Sequence, residues 1–206
     1  MRAPASSPGI DSWTTVIPHD EGTLIEELDV FNDFLAVSLR SGGLRRLYLA
    51  DRETGGGRYA DLGGEPATFY TSANYSADAD SIRLFYTSLT TPWSMISYHV
   101  EDDSVKTLKT TFAGEGYDPD LYTAERIMVP AGDGALVPVG MVYRTDLYSP
   151  GENPLLLYGY GAYGMSLDPM FSAGLLSLLD RGFIYADAMC GGEAKWAGAG
   201  ITGAGH

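Results

Sequence analysis

The sequence predicts two architectures in series: antiparallel β structure over residues 15–116, then α/β structure over 117–192. Three observations carry this. Short apolar strands recur at even spacing before residue 112, with turn residues between them. A continuous apolar run at 155–158 leads straight into a loop rich in glycine and tyrosine. After that loop come a helix-spaced apolar pattern and another apolar strand, the order of one βαβ unit.

In the first part, strands are expected at 24–30, 34–39, 44–49, 68–75, 82–88, 95–100 and 105–108. Asn32-Asp33, Ser41-Gly42-Gly43, the loop 51–57 and Glu101-Asp102-Asp103 supply turns. Such strands suit a sandwich, a barrel or propeller blades. They group as 24–67 and 68–112, although weak identity between the groups leaves a repeat only suggested. Residues 110–120 hold Gly114, Gly116 and Pro119 with little apolar content and read as a boundary. Strands at 124–130 and 137–144 follow, joined at Ala131-Gly132-Asp133-Gly134.

Pro154 opens the central stretch. The run 155–158 reads as a strand buried on both faces of a parallel sheet. Gly159, Gly161 and Gly164 then interleave with Tyr160 and Tyr163, where open sheets place ligands. Asp168-Pro169 suits a helix start, and Arg181-Gly182 suits its end. The next strand begins at Phe183.

Net charge is −14, which argues against a nucleic-acid partner, whose binding needs a basic face. It is compatible with cationic substrates. Cys190 is the sole cysteine, so no internal disulfide forms, and a reducing compartment fits. Residues 1–14 read as a disordered start without a secretory pattern. No run approaches the ~18 apolar residues of a membrane span. A soluble, cytoplasmic protein with no membrane partner is expected.

The run Asn-Pro-Leu-Leu-Leu-Tyr-Gly-Tyr-Gly-Ala-Tyr-Gly at 153–164, with Phe171-Ser172 and the stretch 178–183, resembles the prolyl oligopeptidase family of serine peptidases, oligopeptidase B in particular. Upstream pieces stand in the same order: Ile17-Pro18-His19, the stretch 88–92, Tyr117-Asp118-Pro119 and Val142-Tyr143-Arg144. The resemblance implies a partial β-propeller of antiparallel blades followed by a truncated α/β-hydrolase domain. It also implies cleavage of short peptides, after Lys or Arg for oligopeptidase B, with no metal or organic cofactor. By resemblance, Tyr160 donates its hydroxyl to the tetrahedral oxyanion and Tyr163 lines the substrate pocket. A fixed donor where charge develops is worth ~3 kcal/mol of barrier.

The hydrolytic machinery is not assembled here. It needs a Ser in Gly-x-Ser-x-Gly, followed by Asp and His in that order. No such elbow occurs, and the histidines are His19, His99 and His206. The chain is therefore expected to be inactive alone. Glu101-Asp102-Asp103 reads as a solvated turn before it reads as a metal cluster, Glu26, Glu27 and Asp29 as exposed strand residues, and Cys190 as an inert thiol. After residue 189 the pattern departs from the family: Cys190-Gly191-Gly192-Glu193 stands where Arg-Gly-Gly-Gly-Glu is usual. Residues 193–206 form a divergent Gly/Ala tail. A non-catalytic propeller-type binding module, or a piece of a different α/β-hydrolase such as an esterase, are the other readings.

Overall fold

The computed structural model describes residues 1–64, 66–132, 134–161 and 167–188. Three four-stranded sheets organise them. The first runs β1 (Thr23–Val30), β2 (Phe34–Ser41), β3 (Leu44–Asp51) and β4 (Gly57–Tyr59), each antiparallel to its neighbour. The second repeats that meander with β5 (Ala67–Thr71), β6 (Ser81–Ser88), β7 (Ser94–His99) and β8 (Val105–Thr110). Two successive four-stranded meanders are the form of propeller blades, the architecture expected of this part of the sequence.

The meanders pack through residues of period two. Leu47 and Leu49 on β3, Ile82, Leu84 and Tyr86 on β6, and Ile96 and Tyr98 on β7 are buried in one cluster with Phe31 and Phe69. Alternation puts i and i+2 on one face, so each strand gives one side to this core. Arg58 of β4 ties the sheets together. Its guanidinium donates to the Tyr98 hydroxyl at 3.2 Å and to Asp103 at 2.5 Å. The Tyr98 hydroxyl donates to the same carboxylate. Asp103 takes a positive φ of 58° in the turn between β7 and β8, so Glu101-Asp102-Asp103 is a hairpin turn with a structural task.

The strand β4 is absent from the sequence reading, which gives 51–57 to a loop. Its composition, Gly-Arg-Tyr, carries no apolar pattern. The glycine is required by close approach: a Cβ on Gly57 would stand 1.9 Å from the Leu49 carbonyl oxygen on β3. Gly57→Ala is therefore expected to force the β3–β4 pair apart and destabilise the chain by about 1–3 kcal/mol. Urea unfolding of the variant checks this, with an unchanged midpoint as the contrary result.

The third sheet has the order β11-β12-β10-β9, with β9 (Tyr122–Pro130), β10 (Leu136–Arg144), β11 (Leu155–Gly159) and β12 (Ile184–Ala188). It is mixed: β9, β10 and β12 are antiparallel in turn, while β11 and β12 are parallel. Helix α1 (Ala173–Leu179) joins that parallel pair, as the βαβ reading requires. Leu179 packs with Val142 and Leu89. Gly182 closes the helix with φ +81°, its N–H donating to the Leu179 carbonyl.

Three local expectations are corrected. The run 155–158 is not buried on both faces. Among the described residues β11 is the sheet edge, paired with β12 alone, and Leu157 is 61% exposed. An edge strand with bare faces shows the same apolar run as a central one, so composition does not separate them. The helix begins at Ala173 with Ser172 at its N-cap, not at Asp168-Pro169. Those residues are drawn into a contact with the first two sheets instead. Residues 1–14, expected from composition to lack order, carry a 3-10 turn at Ile10–Ser12 and a bridge between Arg2 and Thr14.

Candidate active-site loop and a buried ion-pair cluster

Strand β11 delivers the candidate loop. Its register runs Leu155 against Ile184 through Gly159 against Ala188, so the strand stays paired up to the residue before Tyr160. Tyr160 is partly buried. Tyr163, Cys190 and the tail 193–206 lie outside the described residues. Asp187, opposite Tyr158 in the register, is buried.

Beyond the loop, residues 167–171 cross the first two sheets and are held by three side chains. Arg40 of β2 forks onto Asp168, Nη1 to Oδ1 at 2.6 Å and Nη2 to Oδ2 at 3.0 Å. The Thr68 hydroxyl donates to the Pro169 carbonyl at 2.9 Å, and the Phe171 N–H donates to the Thr87 hydroxyl at 3.1 Å. Thr68 and Thr87 are cross-strand partners on β5 and β6, both fully buried. One facing pair of hydroxyls thus satisfies alternate backbone groups of the crossing segment, as buried polar groups require. The Phe171 ring meets Tyr117 edge-on at 5.1 Å, and Tyr117 stacks on Tyr122.

The fork belongs to a four-charge cluster. Arg40 also donates from Nε to Glu26 at 2.8 Å. The Arg45 guanidinium lies 3.1 Å from the other Glu26 oxygen and 4.0 Å from Asp168. Side-chain exposures of 4% for Arg40 and 10% for Asp168 place the fork out of bulk water. Burial works against the Arg40 charge, but the hydrogen bonds and field of Asp168, with those of Glu26, outweigh it and raise its pKa. Arg45 is further steadied by the Tyr70 ring, 4.2 Å from its guanidinium carbon.

Glu26 corrects the expectation of an exposed strand residue. The β1–β2 register slips between Ile25 and Glu27, and the extra residue is Glu26. A bulge re-aims its side chain, here towards the arginines. Arg40 is not singled out by the sequence reading. The one signal available was an arginine inside the apolar strand Phe-Leu-Ala-Val-Ser-Leu-Arg.

His99 stands at the end of β7 between Asp80 at 3.3 Å and Asp102 at 3.4 Å, in the hairpin end of the second sheet. His19 is exposed. Gly55 has φ +71°, and a Cβ there would stand 1.7 Å from the Val16 carbonyl oxygen, so close packing explains Gly55 as it does Gly57.

Three phenols keep their protons unusually firmly. Burial, then the bond to Asp103, pushes Tyr98 from 10.0 up to about 12. Burial, then Asp180, does the same for Tyr122, and burial, then the Asp187 charge, for Tyr185. These folded-state values are raised, so the stabilisation is complete below the unfolded value and is lost as pH climbs towards the folded one. Stability is expected to fall between pH 10.0 and about 12, with phenolate absorbance rising together with loss of β signal. Phenolate formation complete before any unfolding would contradict this.

Comparison with known proteins gives a consistent result. Residues 1–111 match the family model described as "Prolyl oligopeptidase, N-terminal beta-propeller domain". Dipeptidyl aminopeptidase BI of Pseudoxanthomonas mexicana is 35% identical over 187 residues, which is 90% of this chain and 26% of that protein. Protease 2 of Moraxella lacunata is 25% identical over 95% of this chain and 28% of its own length. The chain thus spans about a quarter of the length of these curated relatives. Among solved structures, oligopeptidase B from Trypanosoma brucei with covalently bound antipain superposes with a TM-score of 0.77 at 31% identity, covering 94% of this chain and 28% of that one. Oligopeptidase B from Leishmania major superposes equally well, covering 95% of this chain and 29% of that one.

Proposed function

The chain belongs to the prolyl oligopeptidase family, and from that premise we propose that it is one part of a serine-type oligopeptidase resembling oligopeptidase B. Residues 15–116 form propeller blades, and residues 117–192 open the α/β-hydrolase domain. The complete enzyme hydrolyses short peptides after Lys or Arg in the cytoplasm. In that reaction a serine attacks the scissile carbonyl, a histidine shuttles the proton, and an acyl-enzyme is then hydrolysed. This chain supplies none of the triad. It supplies Tyr160, whose hydroxyl donates to the oxyanion, and Tyr163, which lines the substrate pocket.

The observation that supports this reading is the strand 155–159, parallel-paired to its end directly before Tyr160, with residues 168–169 bound to the blades further along the chain. Loops at the carboxyl ends of parallel strands are where α/β enzymes hold their ligands. The net charge of −14 accords with a cationic substrate, and a single cysteine accords with a reducing compartment.

The test has two arms. The isolated chain is expected neither to cleave a dibasic peptide nor to react with a fluorophosphonate. The complete enzyme is expected to do both, and to lose peptide cleavage once its serine is labelled. Labelling of the isolated chain, or cleavage that survives the label, would overturn the proposal. Ester cleavage without peptide cleavage would favour the esterase reading.

A further inference from the structure

We propose that the cleft between the first two sheets and β9 is an anion site, in which Arg46 and Arg126 hold the C-terminal carboxylate of a short peptide. The inference deepens the peptidase reading given above and rests on it for the peptide. The cleft has a volume of about 790 Å³ and is bounded by β3, the connection from β4 to β5, and β9. Two guanidinium groups reach it from different sheets. Arg46 comes from β3 and lies over the Tyr59 ring, 5.5 Å from its centroid. Arg126 comes from β9, and its Nη2 donates to the Gly42 carbonyl, which holds it against the β2–β3 turn.

Neither cation forms an ion pair among the described residues, although the chain has 27 Asp and Glu against 13 Lys and Arg. The neighbouring Arg45 is taken up by Glu26. The carboxylates that line the cleft are engaged elsewhere: Asp61 accepts the Gly63 N–H at 3.0 Å, and Glu125 accepts the Tyr143 hydroxyl. The Arg126 Nε is buried and has no hydrogen-bond partner among the described residues. Leaving a buried donor unpaired is costly, and native structures seldom do so. Burial, then the Arg46 charge, lowers the pKa of Arg126. An oxyanion between the two guanidiniums relieves both conditions, since it accepts the Nε–H and offsets the repulsion. The volume is larger than a bare inorganic anion fills and lies in the range of small-molecule pockets. Leu62 and Met128 give the cleft apolar wall as well, suited to the side chain beside a peptide's carboxylate.

The experiment is titration calorimetry on the complete enzyme with the tripeptide Ala-Ala-Leu and with its C-terminal amide. Both lack the Lys or Arg at which cleavage is proposed. The free acid is expected to bind about tenfold more tightly than the amide. Arg126→Gln keeps a polar side chain and removes the charge. It is expected to bring the acid down to the affinity of the amide, with the amide little changed. Arg46→Gln gives a smaller loss of the same kind and serves if Arg126→Gln does not fold. Equal binding of acid and amide, or an acid preference that both variants retain, overturns the proposal. Inorganic phosphate bound through the same arginines, with neither peptide bound, would make this a site for a free anion and overturn the peptide assignment. Binding of neither peptide nor phosphate overturns the site altogether, and is the result expected if a carboxylate from the rest of the enzyme fills the cleft. The peptidase reading is judged separately, by fluorophosphonate labelling of the serine.

Discussion

Asp168→Ala is expected to destabilise the chain by about 3–5 kcal/mol, the usual cost of stripping one partner from a buried ion pair. The cause is less the lost attraction than what remains. Arg40, 4% exposed, would keep Glu26 as its charged partner, and Arg45 would share that same carboxylate. Removing both ends of the fork is expected to cost much less. In Arg40→Met with Asp168→Leu the arginine stem's packing is largely kept and no charge is stranded, since apolar replacement of whole buried pairs is often neutral. Urea unfolding of the single and double variants measures this. Equal losses in single and double variants would show that the fork contributes chiefly by direct attraction.

Tyr160→Phe is expected to lower kcat of the complete enzyme about 100-fold while leaving KM near its original value, a loss of ~3 kcal/mol. A donor that acts on the oxyanion is used in the transition state, so its loss appears in kcat and not in ground-state binding. The ring is retained in phenylalanine, and packing around the partly buried side chain is therefore preserved. A rise in KM with kcat intact would instead assign Tyr160 to binding the substrate.

Much of the blade architecture is legible in the sequence because antiparallel strands with one buried face alternate visibly. The β6 run Ser-Ile-Arg-Leu-Phe-Tyr-Thr-Ser, with Ile82, Leu84 and Tyr86 inward, is an example. Strand β4 escapes because its pairing depends on a glycine meeting the Leu49 carbonyl, a matter of clearance and not of polarity. The apolar run of β11 is legible as a strand, but its exposure is not. Nothing in Leu-Leu-Leu-Tyr tells which of its neighbours are present.

The loop after β11 remains a reading that rests on Tyr160 and its glycines. The charged cluster that binds Asp168 to the blades is hidden for three separate reasons. A bulge turned Glu26 inward, and a one-residue slip of this kind reverses a side chain without altering composition. Arg40 lies in a strand whose other central residues are buried, where its charge looks misplaced until a partner is found far along the chain. Asp168-Pro169 has the chemistry of a helix cap, and the tertiary ion pair overrides that local preference, leaving Ser172 at the N-cap.

The most direct measurement is a crystal structure of the complete enzyme with a peptide aldehyde bound covalently to its serine. The Tyr160 hydroxyl is expected to lie about 3 Å from the hemiacetal oxygen. A Tyr160 hydroxyl out of hydrogen-bond reach of that oxygen, with other donors occupying its place, would contradict the role given to this loop.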